Sequence, residues 1–220
     1  MSSFQIPLFP LQTVLFPGGL LPLRIFEVRY LDLIGRCQKE GAPFGVVCLR
    51  RGSEVRQPPR AGEPGDGVTE PETFHSVGTL AHITSCERPQ AGLLLIRCRG
   101  GRRFRLLGSE QMKHGLWIGE VEYLDDDAPV SVPSDLAPTR EGLRRLYQHM
   151  QAQAGPGDEM PIQPPLQWDD CGWVANRWCD ILPVEPQLKQ QFLAVDNPLV
   201  RLELVDDLLA RLQIGGSTSG

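Results

Sequence analysis

The sequence predicts an α+β protein whose β-rich N-terminal part is followed by a helical C-terminal part. Apolar runs of strand length recur between residues 4 and 124, whereas apolar residues at helical spacing dominate from 139 to 212. Three consecutive aspartates, Asp125 to Asp127, and the prolines that follow them separate the two parts. With 220 residues, of which 41% are hydrophobic, the chain can bury an ordinary core without disulfides or a metal.

The N-terminal part is interpreted as a series of short strands. They are predicted over residues 4–9, 20–25, 44–49, 77–86, 92–98, 102–107 and 117–124. The Gly100-Gly101 pair indicates a hairpin turn between the fifth and sixth of them. In the last strand Trp117 and Val121 alternate with Glu120, which is typical of a barrel wall with one face in water.

Helices are predicted once within the β-rich part and four times after it. The inserted helix covers 28–39 and ends at Gly41, a residue that suits a left-handed C-terminal cap. Four C-terminal helices are expected. The first has Thr139 as its N-cap, the second covers 170–182, the third begins at Pro186, and the fourth begins at Asp196-Asn197-Pro198. Their apolar stripes, rich in tryptophan, predict core packing against the barrel rather than an aromatic ligand cage.

Two segments are predicted to be mobile loops. The first, 50–74, mixes four arginines with prolines and glycines. Such a composition cannot bury enough apolar surface to order itself. The second, 155–167, is an interruption rich in proline and glycine between two helices.

The bulk composition excludes several classes of function. A net charge of −5 argues against DNA, and against RNA as the main partner. No apolar run approaches the roughly 18 residues of a membrane span, so no membrane partner is expected. The chain opens without a secretory leader, which predicts a cytoplasmic protein with free thiols. The phosphate-binding P-loop motif contains a glycine followed directly by lysine. The sequence has no such pair, and hence no P-loop.

The six cysteines are interpreted as small hydrophobic residues on apolar faces. A metal site formed by Cys171, Cys179 and a histidine stays an alternative, and so does a Cys-His nucleophile pair. The spacing of Cys171 and Cys179 matches no standard zinc motif. No cofactor, metal or catalytic residue is therefore predicted.

The sequence resembles the N-terminal, substrate-engaging domain of Lon proteases over almost the whole chain, outside 50–74 and 155–168. The matching segments are Pro7-Leu8-Phe9-Pro10-Leu11, Val14-Leu15-Phe16-Pro17-Gly18, Leu21-Pro22-Leu23, Ile25-Phe26-Glu27, Arg29-Tyr30, Phe44-Gly45-Val46-Val47, Val77-Gly78-Thr79 with Ala81 and Ile83, Arg103-Phe104-Arg105, Val121-Glu122-Tyr123-Leu124, Leu182-Pro183, Lys189-Gln190, Asp196 and Arg201-Leu202. The resemblance implies a PUA-like β-barrel with one inserted helix over residues 1–127 and a helical bundle packed on it over 139–212. It also implies a stand-alone form, because the ATPase phosphate loop and the Ser-Lys peptidase pair have no matching positions.

This resemblance implies a module that is not an enzyme and that engages polypeptide segments or a protein partner through an apolar groove between barrel and helices. The candidate surface residues are Phe9, Phe16, Tyr30, Arg103 and Trp178. Phe26 is assigned to the core, and Phe16 is left open between core and surface. The alternative is a PUA-like regulator that binds a small molecule or RNA, and the five arginines between 97 and 105 are the candidate RNA surface. Strand alternation should instead divide those arginines between two faces.

Overall fold

The structure is a computed structural model that describes residues 3–51, 72–155 and 157–212. Within these residues the strands are β1 (Phe4–Leu11), β2 (Leu20–Ile25), β3 (Phe44–Arg51), β4 (Thr73–Phe74), β5 (Val77–Gln90), β6 (Leu93–Gln111) and β7 (Trp117–Tyr123). The helices are α1 (Val28–Glu40), α2 (Ala137–Gln153), α3 (Cys171–Ile181), α4 (Pro186–Leu193) and α5 (Pro198–Arg211). The predicted α+β class is confirmed.

Five strands close into a barrel. The hydrogen-bonded order β1-β7-β6-β5-β3 returns to its start because β1 also pairs in parallel with β3, from Leu8 beside Gly45 to Leu11 beside Cys48. β4 adds to β3, and β2 pairs with the first half of β6. Closure leaves few strand edges open to unwanted pairing. The barrel implied by the resemblance is therefore present.

A small apolar cluster fills the centre of the barrel. Its buried members are Ile6, Leu8, Val47, Leu80, Phe104 and Val121. Two glycines on neighbouring strands make room for the fully buried ring of Phe104. A Cβ added at Gly78 would lie 2.4 Å from Phe104 Cζ, and one added at Gly45 would lie 2.9 Å from it. A side chain at either position would displace the ring.

Helix α1 covers one side of the barrel. Its buried side chains, Tyr30, Leu33, Ile34 and Cys37, are those that the helical spacing predicted. They pack against apolar residues of β2 and β6. The helix ends at Gly41, which has a φ of 64° and whose N–H donates to Cys37 O. The predicted helix and its glycine cap are confirmed.

The hairpin predicted at Gly100-Gly101 is wrong, because the chain continues through this pair as the 19-residue strand β6. Gly100 instead lies against the turn before β2, so closely that an added Cβ would be 2.1 Å from Phe16 O. Gly18 N donates to Gly100 O at 2.7 Å, and Gly100 N donates to Gly19 O at 2.8 Å. The glycine marks a close approach of two backbones.

The C-terminal helices begin near the predicted positions, but one cap differs. Asp170 caps α3, since its Oδ1 accepts from Trp173 N at 2.7 Å, and Asn197 caps α5 with its side-chain oxygen. The prediction that Thr139 caps α2 is wrong, because the helix begins before this residue. Thr139 Oγ1 hydrogen-bonds to the Asp206 carboxylate on α5 instead. Its hydroxyl joins two helices.

One apolar cluster joins the C-terminal helices to the barrel. Its buried members from the β-rich part and the residue that follows it are Val14, Phe16, Cys48, Val77 and Leu124. Buried side chains from all four C-terminal helices complete it, including Trp173 and Trp178. Gln190 Nε2 on α4 also donates to Val77 O on β5 at 2.8 Å. Core packing of these tryptophans is confirmed.

Most of the first segment predicted to be mobile, residues 52–71, lies outside the described residues. The strands on its two sides pair with each other, with Leu49 of β3 beside Phe74 of β4. The ends of the segment are therefore close together.

The second segment predicted to be mobile, 155–167, forms no helix or strand where it is described. Its Ile162 is only 1% exposed and belongs to the cluster shared by barrel and helices. Glu159 pairs with Arg97 of β6, with 2.6 Å between Oε2 and Nε. These contacts hold the segment against the barrel, and its mobility stays a prediction.

Candidate functional site

The five residues predicted for a binding surface are all buried, and they lie in separate places. Their exposed fractions are 7% for Phe9, 0% for Phe16, 3% for Tyr30, 3% for Arg103 and 4% for Trp178. Phe9 and Tyr30 belong to the cluster under α1, whereas Phe16 and Trp178 belong to the cluster shared by barrel and helices. An accessible surface must therefore be formed by their neighbours.

A hollow of about 180 Å³ opens where β2 leads into α1. We call this region the β2–α1 corner, and its lining residues are Phe9, Leu11, Pro22, Leu23, Arg24, Ile25, Phe26, Glu27 and Tyr30. The rings of Phe9 and Tyr30 are stacked, with centroids 4.1 Å apart. Two of the five predicted residues thus meet at one hollow, as its buried floor.

Phe26 stands at the rim of this hollow. It is 54% exposed, and the nearby Val28 is 72% exposed. The assignment of Phe26 to the core is therefore wrong, and Phe16, which was left open, is fully buried. The cause is a change of element, because Ile25 ends β2 facing the core and Glu27 is the N-cap of α1. The residue between them points outward.

The backbone of β2 is open on one side of the corner. Among the described strands β2 pairs with β6 alone. Gly100 N donates to Gly19 O, and hydrogen-bonded pairs alternate along an antiparallel pair. The backbone groups of Pro22 and Arg24 consequently face away from β6. Pro22 has no N–H, which limits the pairing that this edge permits.

Arg29 fixes the start of α1 beside the hollow. Its Nη2 lies 2.9 Å from Glu27 Oε2, and its Nη1 donates to Gly115 O in the β6–β7 connection at 2.8 Å. The guanidinium also lies over the ring of Tyr30, 4.5 Å from the centroid. These contacts order the corner before any ligand arrives.

A second group of functional interest, centred on Asp127, joins the barrel to the helices. Arg201 Nη1 and Nη2 donate to Asp127 Oδ2 and Oδ1 at 2.5 and 3.0 Å, and Arg103 Nη2 donates to Oδ1 at 3.3 Å. Arg201 is 1% exposed. Burial lowers the pKa of Arg103, and the nearby Arg201 cation lowers it further, whereas Asp127 and Asp196 raise it. We call Arg103, Asp127, Arg201 and Asn176 the junction network.

Sequence reasoning missed this network. Asp127 was interpreted only as part of the acidic end of the β region, and Arg201 only as part of the C-terminal resemblance. One signal was available, since Arg201 interrupts the apolar stripe of a predicted helix. A charged residue on a buried face requires a partner.

A buried ion pair holds the turn before β2. Arg177 Nη2 donates to Pro17 O at 2.7 Å and lies 2.9 Å from Asp180 Oδ2. Burial lowers the pKa of Arg177 and raises the pKa of Asp180 to about 6, although the Arg177 and Lys189 cations oppose the second shift. A Cβ added at Gly19 would lie 2.8 Å from Asp180 Oδ1. A side chain at position 19 would collide with this carboxylate, so the turn requires glycine there.

Stability should therefore depend on the titration of Asp180. Because its pKa is raised to about 6 from 3.8, the folded protein binds a proton between these pH values that the unfolded chain does not. The free energy of unfolding should rise by about 1–2 kcal/mol, relative to that of Asp180→Asn, as the pH falls through this window. Urea unfolding of both proteins at about pH 7 and pH 4 measures the difference. A difference that does not change with pH would contradict the expectation.

A cavity of about 640 Å³ lies between the barrel and α3. We call it the junction cavity, and its lining residues are Pro17, Gly18, Arg99, Arg103, Asp126, Asp127, Pro129, Pro165, Gln167, Asp169, Asp170, Gly172, Trp173 and Asn176. It occupies the region where an apolar groove was predicted. Charged and amide side chains share its wall with prolines and a tryptophan, so the wall is mixed rather than apolar.

The arginines of β6 do not form one exposed basic patch. Arg103 is buried in the junction network, whereas Arg97, Arg102 and Arg105 are partly exposed. The three exposed arginines pair with Glu159, Asp126 and Glu122, with N–O distances of 2.6, 3.6 and 3.3 Å. Acidic neighbours thus neutralise these three arginines, and the exclusion of RNA as a partner stays a prediction.

The cysteines behave as apolar side chains. Five of the six are buried, and Cys86 is partly buried. Burial raises the pKa of Cys98 and of Cys179 to about 12. Within residues 3–51, 72–155 and 157–212, no three or more His, Cys, Asp or Glu side chains are arranged to hold a metal ion. In the same ranges no helix is both long and apolar enough to cross a bilayer.

A closed barrel with one inserted helix, followed by helices that pack on it, defines an α+β domain of the PUA-like type. The chain belongs to the family described as the ATP-dependent protease La (LON) substrate-binding domain, whose model matches residues 5–211. The predicted family is confirmed.

Relatives agree with this assignment. The chain is 26% identical over 212 residues to a Lon protease of Anaeromyxobacter dehalogenans (strain 2CP-C), and the match covers 94% of the chain but 23% of that relative. It is similar to the crystal structure of a Lon N-terminal domain protein from Xanthomonas campestris, with a TM-score of 0.68 and 29% identity over 94% of this chain and 98% of that one. The N-terminal domain of Mycobacterium avium complex Lon protease shares the fold, with a TM-score of 0.60 and 16% identity over 94% of this chain and 98% of that one.

Proposed function

We propose that this chain is a non-catalytic module that binds segments of polypeptide, and that the β2–α1 corner is its contact surface. The observation that carries the proposal is the exposed ring of Phe26 at the rim of a hollow floored by Phe9 and Tyr30, with the exposed Val28 two residues further along the chain. Large apolar side chains exposed beside a hollow are typical of binding surfaces. The description of the family as a substrate-binding domain supports a polypeptide as the occupant.

The corner also suits the backbone of an extended segment. The open side of β2 presents the carbonyls of Pro22 and Arg24 and the N–H of Arg24 beside the hollow. An added segment would hydrogen-bond to these groups and place an apolar side chain against Phe26. Glu27 and Arg24 supply one charge of each sign near the rim. A short segment with an apolar residue, as exposed by an unfolded protein, matches this combination.

Two observations support a non-catalytic role. The sequence has no glycine followed by lysine, and hence no P-loop for ATP. The raised pKa values of Cys98 and Cys179 keep these thiols protonated near neutral pH, which disfavours a cysteine nucleophile. The match covers 23% of the Lon protease relative. We assign proteolysis to parts of that relative outside the match.

Replacing Phe26 by serine should weaken polypeptide binding by about tenfold, because an exposed aromatic anchor contributes a large share of the energy of such a contact. The test uses fluorescence anisotropy with a labelled, permanently unfolded polypeptide, such as reduced and carboxymethylated lactalbumin. Leu107→Ser is a matched control, since Leu107 is 51% exposed but lies outside the corner. The control should bind like the original protein. Equal weakening by both variants, or no binding by the original protein, would refute the proposal.

A further inference from the structure

A second hollow, of about 230 Å³, adjoins the β2–α1 corner along β2, and we call it the outer hollow. Three consecutive residues of β2 line both hollows, namely Pro22, Leu23 and Arg24. The outer hollow is completed by residues of β5 and β6, including Glu87, Leu95 and Arg97. A ligand that lies along β2 therefore meets both hollows.

The two hollows lie on opposite faces of the sheet edge. Leu21 of β2 is buried in the cluster under α1, to which the floor of the corner also belongs, whereas Pro22 and Arg24 are exposed. On the paired strand β6, Ile96 is buried in the same cluster and its neighbour Arg97 is exposed. Successive strand residues point to opposite faces, so Arg24 lies on the face away from α1.

A segment added to the open side of β2 would alternate between these faces in the same way. Residues directly opposite each other on paired strands have their side chains on the same face of the sheet. A side chain opposite Leu23 or Ile25 would lie on the face of the corner, and a side chain opposite Arg24 would lie on the outer face. Arg24 is between these two positions. The residue beside Arg24 is therefore an immediate neighbour of the residue in the corner, for either direction of the segment.

Of the charged residues that line the two hollows, Arg24 alone has no partner in the described part of the chain. It is exposed and forms no hydrogen bond or ion pair with a described residue. The others form ion pairs, with N–O distances of 2.9 Å for Glu27–Arg29, 3.6 Å for Glu87–Arg97 and 2.6 Å for Glu159–Arg97. The uncompensated charge at this edge of the sheet is consequently positive.

We propose that the polypeptide segment bound at the β2–α1 corner carries an acidic residue immediately beside its apolar residue, and that Arg24 selects this residue. The inference rests on the proposed function. Opposite charges directly across paired strands stabilise the pairing, whereas a lysine or arginine of the segment would be repelled. The acidic side chain lies in the outer hollow, where its carboxylate accepts from Arg24 and its methylene groups contact Leu95.

The test is competition against labelled, reduced and carboxymethylated lactalbumin bound to the full chain, measured by fluorescence anisotropy. The competitors are short acetylated and amidated peptides of alanine and serine with one phenylalanine. Glutamate precedes the phenylalanine in the first peptide, follows it in the second, and is separated from it by one alanine in the third. A matched set has glutamine in place of glutamate, and another has lysine.

Glutamate next to phenylalanine should give about threefold tighter binding than glutamine in at least one of the two adjacent arrangements. This is the range that one exposed ion pair supplies, and the gain should shrink as the salt concentration rises. The separated glutamate should give no gain, because its side chain would lie on the face of the corner.

Three variants identify the residue that is responsible. Arg24→Gln should bind the glutamate and glutamine peptides equally, and Arg24→Glu should prefer the matched lysine peptide. Arg88→Gln also removes one positive charge, from an exposed residue of β5 outside both hollows, and it should keep the preference for glutamate. If Arg24→Glu does not fold, Arg24→Gln and the comparison of the adjacent and separated peptides decide the matter.

Three results would overturn the inference. They are equal affinity for the adjacent glutamate and glutamine peptides, an equal gain from the separated glutamate, and a preference that survives Arg24→Gln. If Phe26→Ser still weakens the binding of lactalbumin in these cases, the proposed polypeptide surface stands and only the role of Arg24 fails. If the original protein binds neither lactalbumin nor the peptides, the proposed function fails and this inference fails with it.

Discussion

Replacing Arg201 by alanine should lower the free energy of unfolding by about 3–5 kcal/mol. Arg201 donates to both carboxylate oxygens of Asp127, to Val195 O at 2.5 Å and to Asn176 Oδ1. Its removal leaves Asp127 largely buried with Arg103 alone, at 3.3 Å. A buried charge that loses its main partner is costly, because water cannot replace the lost hydrogen bonds.

Arg105→Ala is the matched control for this substitution. Arg105 also pairs with a carboxylate, Glu122 at 3.3 Å, but its side chain is 44% exposed. Exposed pairs contribute little, so the loss should stay within about 1 kcal/mol. Urea unfolding followed by tryptophan fluorescence and far-UV circular dichroism measures both variants. A loss of less than about 1 kcal/mol for Arg201→Ala would show that the junction network does not stabilise the contact between barrel and helices.

Gly100→Ala should destabilise the protein by about 3 kcal/mol, at the upper end of the usual cost of overpacking. The added Cβ would lie 2.1 Å from Phe16 O and 3.0 Å from Phe16 C. These are backbone atoms of a buried residue, which no side-chain rotation can move aside. Any shift that makes room also strains the hydrogen bonds that Gly100 exchanges with Gly18 and Gly19.

Gly108→Ala on the same strand separates this steric effect from the conformational effect of replacing a glycine. A Cβ at Gly108 would meet nothing within 4 Å, and neither glycine has a positive φ. The change at Gly108 should stay within about 0.5 kcal/mol. Thermal and urea unfolding of the two variants give the comparison. Similar stabilities would mean that the turn before β2 can move away from β6 at little cost.

Much of the fold was predictable because it follows from local patterns. Helical spacing located α1 with its four buried side chains, and apolar runs of strand length located most of the barrel strands. Gly100 and Thr139 were misassigned for one shared reason. Their roles depend on partners far away in the sequence, Phe16 and Asp206, and a local pattern contains no information on such contacts.

The candidate site was less predictable than the fold. The resemblance led to Phe9 and Tyr30, which form the floor of the β2–α1 corner, but the exposed Phe26 was assigned to the core. The sequence alone does not distinguish a buried phenylalanine from an exposed one at this position. Phe26 points outward because it lies between the last residue of β2 and the N-cap of α1. The junction network was missed because its members come from β6, α3, α5 and the segment after β7, which are far apart in the sequence.

The pairing of β1 with both β3 and β7 imposes an order on events during synthesis. Phe4 to Leu8 pair with residues 117–121 of β7. More than half of the chain must therefore be synthesised before β1 can pair with β7. The parallel contact with β3 is available much earlier, once residues 45–48 have been made. Closure of the barrel is therefore a late, long-range step, and such steps are slow because the loop must be ordered before its contacts form. A ribosome that pauses before β7 is complete would hold a half-barrel with an open edge, the species on which a chaperone would act.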